Sequence, residues 1–199
     1  MANVKFFIDF WNFQLGWNDN MRPEANSGEK FVRIGWRDLP SLLMNELPSV
    51  LGGGAQLVFK GVNVYASVNP QSGSKDEKLK GFLHNNLGQM TGYNVKVVDR
   101  KAKHDDCPHC NARIDRQVEK GVDVSIVTDL FEGAVNNSYD IAILLSSDSD
   151  FVPGVQTIQE RLNRQVVHVG FKQGGDQVRT TCWGHIILDG DVANKIADN

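Results

Sequence analysis

Cysteine is scarce in this chain, with three residues in 199. Three unevenly placed thiols cannot build a disulfide framework, which argues against a disulfide-stapled secreted module and for a reducing compartment. Long apolar runs are missing too. No stretch approaches the roughly 20 residues of a membrane-crossing helix, and the first residues lack the basic-then-apolar pattern of a secretory leader. The expectation is a cytoplasmic protein with no membrane partner. A large excess of one charge is also absent. The formal net charge is −3, so nothing global marks a nucleic-acid binder. Neither a repeat nor a low-complexity tract interrupts the chain.

What is present is an ordinary globular composition, 41% hydrophobic and 23% charged, sized for a single domain over 1–199. The charge is unevenly spread. Residues 60–120 carry 11 Lys+Arg against 7 Asp+Glu, whereas 121–199 carry 5 against 11. A basic middle beside an acidic end suits a polyanion held next to a cation-binding pocket, although solvated surface charge accounts for it nearly as well.

Hydrophobic periodicity alternates between short strands and helices. Strands are expected at 4–8, within 56–68, and at 94–99, 141–145, 165–169 and 186–188. Helices are expected at 36–51 (stopped by Gly52), 75–90, 122–135 and 151–162, with a short one closing the chain. Residues 14–32, rich in Asn, Gly and charge, read as a long loop, and about 101–116 as a polar Cys/His loop. Such alternation implies a mainly parallel sheet with helices on both faces, a Rossmann-like three-layer α/β/α fold.

In these sheets functional groups gather at the carboxyl ends of strands. Two strands here end in acid. The first delivers Asp9, followed closely by Asn12; the strand at 141–145 delivers Ser146, Ser147, Asp148, Ser149 and Asp150. Asp9 alone would pass as a strand-ending turn residue. Ser147-x-x-Asp150 fits a capping box for the next helix, with Pro153 in its first turn. Capping leaves Asp148 without a role. A third carboxylate, Asp123, lies one turn before Ile126 and Val127 on the apolar face of its helix, although acids are also favoured in a first turn. A carboxylate towards a packed face needs a partner. Several carboxylates at one sheet edge repel one another. A divalent cation relieves the repulsion, and hard oxygen donors select Mg²⁺ or Mn²⁺. That chemistry points to metal-assisted phosphodiester hydrolysis.

In their order, Asp9-x-x-Asn12, "KGVDV" at 120–124, Asp129 in "TDL", "YDIAILLSSDSDFVPGV" at 139–155 and "VVHVG" at 166–170 resemble the NYN domains, PIN-like nucleases of Rossmann-like fold. The resemblance runs from about 4 to 170. It implies a metal-dependent endoribonuclease with Asp9, Asp123, Asp148 and Asp150 as its acidic site, Asn12 and Ser146 in support, and Mg²⁺ or Mn²⁺ held by Asp9, Asp123 and Asp148. Two departures bear on substrate access. Phe10 and Trp11 stand where the family has a small residue, and Ser147 replaces the glycine of its Ser-Gly-Asp-Ser-Asp.

A second constellation lies apart. Cys107-Pro-His-Cys110 and Cys182-Trp-Gly-His185 together form a Cys₃His set suited to structural zinc, with His104 and His109 as alternative fourth ligands. Such a site would tie the 101–116 loop to the C-terminal segment. A redox pair or free thiols are the other readings of Cys-x-x-Cys, but a thioredoxin-type motif should open a helix after a strand. The aromatic start offers Trp11, Phe13 and Trp17 as stacking faces for single-stranded bases, against the alternative of core packing. Arg100, Lys101, Lys103 and Arg113 are candidates for phosphate contacts. RNA, single-stranded or structured, is the expected partner, and a homodimer stays open. The competing class is a non-catalytic nucleic-acid-binding or scaffold protein that keeps the acidic pocket for a structural cation. A phosphatase is disfavoured, because Asp9 is followed by Phe10 and Trp11 instead of by an Asp-x-Asp pattern.

Overall fold

The computed structural model describes residues 1–21, 33–54 and 56–197. In chain order the elements are strand β1 (Ala2–Asp9), helices α1 (Phe10–Met21) and α2 (Leu39–Leu51), strand β2 (Leu57–Val68), helix α3 (Ser74–Gly81), then strands β3 (Tyr93–Asp99), β4 (Lys101–Asp106) and β5 (Arg113–Val118). Helix α4 (Val122–Val135), strand β6 (Ile141–Leu145), helix α5 (Val152–Leu162), strand β7 (Gln165–Gly170), helix α6 (Asp176–Thr181), strand β8 (Gly184–Ile187) and helix α7 (Gly190–Ala197) follow.

Six strands form one parallel sheet in the order β3-β2-β1-β6-β7-β8. Alternation along β1 explains how it serves two layers. Val4, Phe6 and Ile8 face one core with α1, α2 and α7, while Phe7 faces the other with α4 and α5. Every residue of β6 is buried, as a central parallel strand covered on both faces requires. Strand order reverses between β1 and β6. From β1 the chain builds outward to β3; from β6 it builds the other way to β8. The carboxyl ends of these two neighbours therefore open onto the crevice at a topological switch point.

The three-layer architecture agrees with the sequence-based expectation, and several segments differ. Residues 14–21 belong to α1; the rest of the expected loop, 22–32, lies outside the described residues. Phe10, Phe13 and Trp17 point from α1 into an aromatic cluster with Trp36 and Phe171. Gly16 is required there, since a Cβ would come within 2.6 Å of the Phe171 ring. The expected helix at 75–90 breaks into α3, a π turn (Phe82–Asn86) and a 3₁₀ turn (Leu87–Gln89). The expected Cys/His loop is an antiparallel hairpin, β4 against β5. Helix α6 went unforeseen; at six residues it is too short to show a period.

Candidate active site

Asp9, the last residue of β1, is 6% exposed. One of its carboxylate oxygens accepts the Asn12 backbone N–H at 3.2 Å, and the Ser146 hydroxyl lies 3.4 Å from the other. Asn12 in turn accepts the Ser147 N–H on its side-chain oxygen at 2.8 Å. The ends of β1 and β6 are thereby laced together by side chains that a strand terminus must supply to satisfy its freed backbone groups.

The turn after β6 is built by Asp148. Its carboxylate accepts the Asp150 N–H at 2.9 Å and caps the 3₁₀ turn Ser149–Phe151, while its own N–H donates to the Ser146 hydroxyl at 3.3 Å. The expected Ser147–Asp150 capping box is therefore replaced by an Asp148 cap. Asp150 is left free to face Asp123, on the first turn of α4. Ligand oxygens of Asp123, Asp148 and Asp150 all lie within 4.8 Å of one another. Among the described residues no other group of three His, Cys, Asp or Glu side chains comes so close. Asp9 lies outside that trio but within its field. Burial, with the charges of Glu119 and Asp123, pushes the Asp9 carboxyl up to about 7 against the pull of the Asn12 and Ser146 hydrogen bonds. Burial first, then Asp148, Glu119 and Asp150, raise Asp123 as well. Carboxyls that gain protons when crowded mark a pocket short of positive charge.

Glu119 is the member that the sequence reading missed. It follows β5, and its carboxylate accepts the hydroxyl of Ser67, a fully buried residue near the end of β2. Arg100 donates to the same hydroxyl at 3.0 Å, sits 3.9 Å from Glu119, and stacks over the half-buried Trp11 ring. The Trp11 indole N–H donates to the Ser67 carbonyl at 2.7 Å. Arg100 and Trp11 thus meet beside Glu119 at the pocket edge. No local pattern announces Glu119, because its partners come from β2 and from the end of β3.

Ser147, the departure from glycine, fits because glycines face it. A Cβ on Gly175 would come within 2.8 Å of the Ser147 side chain, and one on Gly170 within 3.3 Å of its hydroxyl. Beneath this turn His168 is fully buried, neither ring nitrogen has a hydrogen-bond partner, and burial pushes it down to about 4.

Other expectations fail geometrically. Trp17 is fully buried, with its indole N–H on the Arg33 carbonyl at 3.2 Å, so it offers no face to a base. Phe13 is core as well. The other phosphate-contact candidates lie on the hairpin: Lys103 is paired with Asp105 and Arg113 with Asp115, while Lys101 is exposed at its base, opposite Val118. The Cys₃His set is not assembled. Cys107 and Cys110 occupy the tip of a hairpin that leaves the β3 edge, whereas Cys182 and His185 belong to the β8 edge. Five inter-strand steps of about 4.8 Å separate those edges. Cys182 is packed with α5 and α6 in the second core, its thiol pushed up to about 12 by burial, and so is a core side chain, not a ligand. Asp129 of the "TDL" stretch also lies away from the trio, bound by Tyr65 at 2.6 Å and paired with Lys96.

Among the described residues, no helix is long and apolar enough to cross a membrane. No curated protein matches the chain. Among solved structures, a protein of unknown function from Vibrio parahaemolyticus RIMD 2210633, VPA0982, is similar over 96% of this chain and 94% of its own, at 18% identity and a TM-score of 0.61. That likeness speaks for the fold alone. The family model of the NYN domain matches residues 43–189. A parallel sheet with an acidic group at its switch point and a family match over most of its length place this chain in the NYN domain family, and with it in the PIN-like nuclease fold.

Proposed function

We propose that the chain is a metal-dependent endoribonuclease that hydrolyses RNA phosphodiester bonds at the Asp9–Asp123–Asp148–Asp150 pocket. One observation carries the reading: three carboxylates from two elements converge within 4.8 Å at the switch point of a NYN fold. The donors fit Mg²⁺ or Mn²⁺, being hard oxygens without a soft ligand among them. Asp123, Asp148 and Asp150 would hold the cation, with Asp9 as the deeper fourth charge. When bound, such a cation polarises a phosphoryl oxygen and lowers the pKa of water.

The protein's own part is positioning. Asp148 is fixed by its bond to the Asp150 N–H on a turn anchored to buried β6, which preorganises it as a ligand. Asp9 is held by Asn12 and Ser146, in a setting that leaves it able to take or yield a proton near neutrality. Arg100 brings positive charge to the pocket edge for a backbone phosphate, and Trp11 beneath it offers an aromatic face to the strand.

The test compares the parent protein with Asp148→Asn on labelled single-stranded RNA with Mn²⁺, beside a chelator control. Cleavage should fall by at least about a hundredfold, the scale of losing one electrostatic stabiliser. Folding should be unaffected or improved, because carboxylate repulsion is relieved. Equal cleavage by both proteins would remove the pocket from the mechanism. No cleavage by either, across varied RNAs and metals, would leave a binding protein.

A further inference from the structure

The β4–β5 hairpin stands outside both cores, and no residue from 101 to 118 is buried. A two-stranded hairpin without an apolar face is marginal in water. Its turn is nevertheless closely built. The Cys107 N–H donates to the Ala112 carbonyl at 2.9 Å, the Asn111 N–H donates to the Cys107 carbonyl at 2.9 Å, and Asn111 takes the left-handed conformation at φ 52°. The backbone N–H groups of His109 and Cys110 face the Cys107 sulfur, as does the Cys110 thiol. Backbone donors aimed at a sulfur, in a Cys-x-x-Cys turn that brings two thiols together, form the half-site from which tetrahedral zinc centres are built. A redox pair of the thioredoxin kind would instead open a helix.

Zinc in a structural site takes four protein ligands, and this turn supplies two. Among the described residues no third His, Cys, Asp or Glu completes the pair: His104 is engaged with Asp115, and Cys182 is sealed in the core across the sheet. Cys110 is exposed at the tip, open to ligands from a second molecule. A second hairpin related by a two-fold axis presents the same two sulfurs, and an ion on that axis then has four. We infer that the Cys107–Cys110 tip is half of a zinc site which a second copy of this chain completes. Loading releases the thiol protons and changes no oxidation state. The cross-link supplies the stability that the hairpin's own side chains lack.

The experiment uses the full chain, prepared without chelator. Metal analysis should return about one zinc per two chains, and light scattering should give a dimer that becomes a monomer on chelation and re-forms when zinc is restored. Cobalt exchanged into the site should show the charge-transfer intensity of four thiolates. Cys110→Ser should be monomeric and zinc-free while circular dichroism still reports the parallel sheet; the chelation cycle on the parent protein decides the matter if that variant does not fold. One zinc per chain in a monomer, a two-thiolate cobalt spectrum, or zinc-free protein with both thiols reactive or joined in a disulfide would each overturn the inference.

Discussion

The acidic pocket and the β4–β5 hairpin are both rich in charged side chains and are built in opposite ways. The pocket hangs from the ends of β1 and β6, strands that are largely buried, and burial, with neighbouring acids, raises the carboxyls of Asp9 and Asp123. The hairpin has no buried side chain. Two of its acids each pair with two bases: Asp115 with His104 and Arg113, Asp105 with Arg116 and Lys103. Those contacts hold the Asp115 and Asp105 carboxyls below their usual range. Uncompensated acids at the ends of buried strands suit cation binding, whereas paired charges on an exposed hairpin are screened by solvent.

The widest gap between the two regions should appear in the response to truncation. Trp17 is fully buried between Phe13 and Phe171, beneath the turn that starts from Asp9. Trp17→Ala should destabilise the protein by about 3–5 kcal/mol, read as a lowered denaturation midpoint. A loss below about 1 kcal/mol would mean that α1 is not the packed element described.

A smaller effect should separate the regions by pH. The folded Asp9 carboxyl titrates near 7, above its ordinary 3.8. Between those values the unfolded chain has already lost the proton that the folded chain keeps, so stability of the metal-free protein falls as pH rises from about 4 to about 7, by at most about 1.4 kcal/mol per unit. Asp9→Asn should flatten that slope and be the more stable form above pH 7, with little difference at pH 4. Parallel curves for the two proteins in chelator would contradict the raised Asp9 carboxyl. Least of all should follow from Asp115→Asn on the hairpin, where exposed pairs are screened: the melting temperature should not move. A measurable drop there would show that ion pairs, not a cross-link at the tip, hold the hairpin.

The same contrast explains what could be read from the residues. Helix α4 and strand β6 were legible to their ends, because buried elements must repeat apolar residues at their own period. Asp9, Asp123, Asp148 and Asp150 drew attention because each sits where such an element begins or ends, yet the close trio holds Asp150 in the place expected of Asp9. Helix α1 was not legible. Its Asn12, Gly16, Asn18 and Asn20 are poor helix formers, although Phe10, Phe13 and Trp17 already marked one helical face. There the aromatic packing overrides propensity, and Gln14 donating to Asn18 at 3.0 Å satisfies buried amides. The hairpin escaped because charge pairs, not an apolar alternation, set its register, with His104 opposite Asp115. Glu119 escaped with it, since its place beside Ser67 depends on that unseen strand. The zinc set failed for the complementary reason: spacing proposes ligands, and only strand order reveals that the two pairs leave opposite edges.

The central claim is that Asp123, Asp148 and Asp150 hold a divalent cation. Crystals soaked in Mn²⁺, measured at the manganese edge, test it without reference to any substrate. The structure predicts an anomalous peak among those three carboxylates, lost in Asp148→Asn. Saturating Mn²⁺ with no peak there, in crystals whose pocket is open to solvent, would contradict it.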